Sequence, residues 1–66
     1  MTNWNWVLDN LATAQTERAN GYKIVRLFSG WSAFIDKPKS GILIRDTLKE
    51  FAQQACIEHF QRKVKI

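Results

Sequence analysis

Residues 21–36, GYKIVRLFSGWSAFID, constrain this chain more than any other stretch. Two runs rich in β-branched and aromatic residues flank Ser29-Gly30. Such runs favour strands, and glycine supplies the positive φ of a tight turn, so the stretch reads as a β-hairpin. With Ser29 and Gly30 at the centre of the turn, Phe28 faces Trp31, Arg26 faces Ala33, Val25 faces Phe34 and Ile24 faces Ile35. Lys23 then meets Asp36, and opposite charges across two strands support that alignment.

Alternation along each strand divides the hairpin into two faces. One carries Tyr22, Ile24, Arg26, Phe28, Trp31, Ala33 and Ile35. The other carries Lys23, Val25, Leu27, Ser32, Phe34 and Asp36. Both have apolar centres, whereas an antiparallel sheet commonly turns one wet face outward. Burying the Arg26 guanidinium without a partner is expensive. The expectation is therefore that Val25, Leu27 and Phe34 face the core.

The flanking segments read as helices. Trp4, Val7, Leu8 and Leu11 recur at i, i+3, i+4 and i+7, which predicts a helix over residues 3–19. Thr2 or Asn3 can cap its start, and Asn20-Gly21 can end it. Trp6 lies off that apolar stripe. Lys37-Pro38-Lys39-Ser40-Gly41 reads as a loop, and residues 42–45 as a short third strand or a buried helical turn. Thr47 and Glu50 match a capping box for a second helix over residues 48–61. Residues 62–66 follow as a basic tail, unless the helix runs on through them.

The expected architecture is thus α+β in the order α-β-β-β-α, a three-stranded antiparallel meander with two helices packed on it. At 66 residues it is a single domain, 1–66. A chain of this size has little core to spare, and many such chains rely on a disulfide, a metal or a partner. Cys56 is the only cysteine and His59 the only histidine, so no internal disulfide and no metal centre is expected. The single cysteine and the lack of a long apolar run suit a cytoplasmic protein with no membrane association.

The net charge of +4 is unevenly spread. Residues 18–45 carry six cations against Asp36 alone, a balance of +5. Basic surfaces attract nucleic acid, and aromatic side chains on a sheet can stack on unpaired bases. Lys23, Arg26, Phe28, Trp31, Lys37, Lys39 and Arg45 are therefore the expected contact residues. Catalysis has little support. Cys56 and His59 are neighbours on one helix, but the pairing fits a packed thiol and a rim imidazole better than a nucleophile and its base. Asp46 and Glu50 suit a helix start, and no glycine-rich phosphate loop is present.

The sequence thus predicts a non-enzymatic regulatory module without cofactors that binds nucleic acid through a basic, aromatic hairpin, with self-association expected. The alternative is an adaptor, accessory subunit or inhibitor that uses the apolar hairpin face and Trp6 or Trp31 as protein-binding anchors.

Overall fold

The computed structural model describes residues 4–11, 13–28, 30–37 and 39–64. The elements are strands β1 (Val7–Leu8), β2 (Thr16–Ala19), β3 (Tyr22–Leu27), β4 (Gly30–Ile35) and β5 (Gly41–Thr47), then helix α1 (Lys49–Val64). The strands form one antiparallel sheet in the order β1-β2-β3-β4-β5, and α1 lies on one face against β3, β4 and β5.

This overturns the expected α-β-β-β-α arrangement. Residues 7–8 and 16–19 form strands where a helix was expected, and the meander has five strands rather than three. The helical stripe was coincidental. Val7 and Leu8 are exposed, and Leu11 is 96% exposed. The residues that pack inward are Trp4 and Trp6, two apart, with ring centroids 5.8 Å from each other. Period two, not 3.6, organises this segment. After β1 the Asp9 carboxylate accepts from the Leu11 N–H at 3.0 Å and closes a side-chain turn. The proposed caps Thr2 and Asn3 lie outside the described residues.

Asn20 and Gly21 form the β2–β3 turn, with φ of 51° and 83°. Asn-Gly is the preferred pair for a two-residue hairpin needing positive φ at both positions. In the next hairpin the register differs from expectation by one turn position. Leu27 pairs with Gly30 and Arg26 with Trp31, so Phe28 and Ser29 connect the strands. Phe28 takes a φ of 57°, and Ser29 lies outside the described residues. Moving the turn by one residue preserves each side chain's face, because both strands shift together. Lys23 now pairs with Phe34 but still lies 3.9 Å from the Asp36 carboxylate.

The core lies on the other face from the one expected. Tyr22, Ile24 and Ala33 are buried beneath Ala52 and Cys56 of α1, with Trp31, Ile35, Leu43 and Ile44 around them. The small Ala33 and Ala52 let the helix approach the sheet closely. Arg26 lies on the same face but stays exposed, and its Nη1 donates to Gln15 Oε1 at 3.3 Å.

Strand β5 is irregular. Ala33 pairs with Ile44 and Phe34 with Ile42, so Leu43 is an extra residue and both Leu43 and Ile44 turn towards the core. A second irregularity between Trp31 and Ala33 sets Ser32 opposite Arg45 and Asp46, where Asp46 has φ 51°. Gly30 is needed beside it: a Cβ there would sit 2.9 Å from the Asp46 Cα.

Polar links hold helix to sheet. The Tyr22 hydroxyl and His59 Nδ1 are 2.7 Å apart. Lys49 Nζ donates to Glu17 at 2.7 Å and stands 5.1 Å over the Trp31 ring. Thr47 belongs to β5, and the Leu48 carbonyl accepts the first helical bond from Ala52 at 3.0 Å. The helix therefore starts one residue later than the capping-box reading required, and it continues to Val64 in place of a tail.

Candidate functional site: the open sheet face

With α1 on one face, alternation sends Lys23, Val25, Leu27, Phe34 and Ile42 to the other. No helix among the described residues covers them. Phe34 is half-buried and Ile42 is 52% exposed. These two side chains form the ridge between two shallow pockets. One, of about 290 Å³, has walls of Leu27, Phe28, Phe34 and Ile42, a floor at Ser32, and Arg45 and Asp46 on its rim. The other, of about 200 Å³, adds Lys23, Ser40 and Gly41 on the far side of the ridge.

The electrostatics are asymmetric. The Lys23 ammonium lies 5.8 Å from the Phe34 ring centroid, so a cation flanks the central aromatic. Arg18 is engaged by both Asp9 and Asp36. Those carboxylates raise its already high pKa, while the Leu11 N–H and then Arg18 hold Asp9 below the usual carboxylate value. Arg45, Lys37 and Lys39 make no side-chain ion pair among the described residues, so their charge is available. Ser32 is buried at the pocket floor, and its Oγ accepts from the Asp46 N–H at 3.4 Å.

The expected contact residues divide. Lys23, Phe28 and Arg45 border the open face. Lys37 and Lys39 sit exposed in the β4–β5 loop, while Pro38 between them lies outside the described residues. Arg26 and Trp31 belong to the helix side. Trp31 is half-buried below Lys49 and offers no anchor on the open face. The sequence reading did not place Phe34, Ile42, Ser32 or Asp46 at a site. Phe34 and Ser32 share strand parity with Lys23, and that was the available signal. Assigning Phe34 to the core hid it.

The Cys56–His59 neighbourhood has a structural arrangement. Cys56 is buried, and burial pushes its thiol up to about 12. The Tyr22 hydroxyl is raised as well, by burial and then by Cys56. His59 directs Nδ1 at Tyr22 rather than at the thiol. Among the described residues no cluster of three or more His, Cys, Asp or Glu is placed to hold a metal, and no helix is long and apolar enough to cross a membrane.

No family model, curated protein or solved structure matches the chain.

Proposed function

We propose that the chain is a non-enzymatic module that binds unpaired nucleic acid across the open face of its sheet. The observation that carries this reading is the Phe34–Ile42 ridge flanked by Lys23 and Arg45, with Phe28 projecting at the hairpin tip. A sheet that presents aromatic rings between cations suits splayed bases stacked on the rings and phosphates held at the sides. Lys37 and Lys39 extend the positive field along one end. A regulatory role suits so small a module.

Fluorescence anisotropy with labelled single-stranded and duplex oligonucleotides at low salt tests it. Single strands should bind more tightly than duplexes, and affinity should fall steeply as salt rises. Reversing charge at both Lys23→Glu and Arg45→Glu should flatten the salt slope by about 1.4, at about 0.7 per lost phosphate contact on a single strand. No binding to either form at low salt overturns the proposal.

A second reading has one specific observation behind it. Strand β5 is a sheet edge, and Leu48 and Phe51, just beyond it, are exposed. An open edge beside apolar side chains favours a protein partner, with a second copy of the chain the simplest. Sedimentation equilibrium decides it: a monomer at all concentrations removes the self-associating form.

A further inference from the structure

We propose that the pocket between Leu27, Phe28, Phe34 and Ile42 accepts one unpaired guanine, and that Asp46 is the residue that selects it. This rests on the reading that the open face binds single-stranded nucleic acid.

The pocket is the right kind of space. At about 290 Å³ it lies at the small end of ligand pockets, suited to one heterocycle rather than an extended molecule. Its walls are apolar and two of them are aromatic, which suits the faces of a planar base. Its floor holds one small polar group, the Ser32 hydroxyl, whose oxygen accepts from the Asp46 N–H at 3.4 Å and whose own proton remains to donate. The charged groups of the pocket, Arg45 and Asp46, lie on its rim.

The rim holds Arg45 and Asp46, adjacent in sequence yet not ion-paired. The carboxylates of Asp46 and Glu50 have no hydrogen-bond or ion-pair partner among the described residues, and only Asp46 lines the pocket; Asp9 and Asp36 each engage Arg18, Glu17 engages Lys49 and Glu58 accepts from Gln54. The backbone at Asp46 has φ 51° and sits in the irregularity opposite Ser32. Uncommon backbone conformations of this kind concentrate at ligand-contacting positions.

A carboxylate accepts hydrogen bonds at two neighbouring oxygens and donates none. The Watson–Crick edge of guanine presents two adjacent donors, N1–H and the exocyclic N2 amine. Adenine and cytosine each place one donor group beside an acceptor, and thymine or uracil sets one donor between two acceptors. Guanine alone satisfies both oxygens without bringing an acceptor against the negative charge. Arg45, left unpaired, is free for the phosphate beside that base.

The test uses oligothymidine of fifteen residues with one central guanine, adenine or cytosine, alongside the all-thymine strand. The wild-type chain should bind the guanine strand about 5- to 150-fold more tightly than the others, the range of one bidentate base contact. Asp46→Asn should abolish that preference while leaving oligothymidine binding within about threefold. Asparagine tolerates positive φ as aspartate does, so circular dichroism should show the fold intact. Equal affinity for all four strands, or a guanine preference that survives in Asp46→Asn, overturns the inference and leaves the single-strand reading standing. Failure to bind any of the four overturns both.

Discussion

Phe28 is held in a conformation that costs the fold free energy and returns little, so replacing it should separate stability from binding. Its φ of 57° lies in the region where an L side chain is crowded, at about 1–2 kcal/mol. The ring is 97% exposed. A phenylalanine covers on the order of 200 Å² when fully buried, so the remaining 3% returns only about 0.2 kcal/mol at 25 cal/mol per Å². Phe28→Asn supplies a residue suited to positive φ in a hairpin turn. The variant should be more stable by about 1 kcal/mol, which raises Tm by about 4–8 °C in a domain of this size. A single-stranded oligonucleotide should bind it more weakly by about 1–3 kcal/mol, the contribution of one stacked base, or about 5- to 150-fold in Kd. Thermal melting followed by circular dichroism and anisotropy titration give the two numbers from one preparation. A lower Tm would show that the ring supports the fold. A higher Tm with unchanged Kd would show that it touches no base.

Ile24→Ala removes three carbons from a side chain with no exposed surface and should cost about 2–5 kcal/mol. That is a large share of the roughly 3–10 kcal/mol available to a chain of this length, so the urea midpoint should collapse; a loss under about 1 kcal/mol would contradict the core assignment. Cys56 should resist alkylation at pH 8 until urea unfolds the chain. Its thiol ionises at the ordinary 9.0 when unfolded and at about 12 when folded, so the unfolded state releases its proton first and stability should decline between those values; Cys56→Ala should make that decline shallower, the remainder coming from the raised Tyr22 hydroxyl. The Asp9 carboxylate titrates below its ordinary 3.8 in the folded chain, so its contribution is complete above 3.8 and should fade as pH falls beneath it. Arg18→Ala, measured by acid titration of circular dichroism, should weaken that dependence.

The central hairpin, the strand after it and the C-terminal helix were legible, whereas the strand count, the N-terminal segment and the core face were not. Asn20-Gly21 is a strong hairpin marker, yet it also fits the end of a helix, and the spacing of Trp4, Val7, Leu8 and Leu11 made the helix attractive. Trp4 and Trp6 held the competing period-two signal in only two strong residues. The hairpin's face pattern was recoverable because a turn displaced by one residue conserves parity. Which face carries the helix was not. That depends on how α1 packs, and burial along β3 fades from Tyr22 to Leu27. Arg26 looked like an obstacle to burying its face, but the face is long enough for one end to stay in water.

The site was less legible for a different reason. Asp46 reads as an acidic residue at a helix start, because Thr47 and Glu50 look like a capping box. Only the irregular pairing of β5 with β4 moves Asp46 onto the sheet and beside Phe34. A displaced pairing of this sort depends on contacts between distant residues, and a local pattern does not encode it.

Every strand in the sheet pairs with its neighbour in sequence, from β1 through to β5. Each ladder can therefore close through a short loop, with none waiting on a remote segment, so the entropy lost at every step stays small. Such a low-contact-order chain should fold in milliseconds or less, on the order of the faster mixed α/β domains. On a ribosome it can zip up one hairpin at a time, with α1 arriving last to cover a sheet already formed.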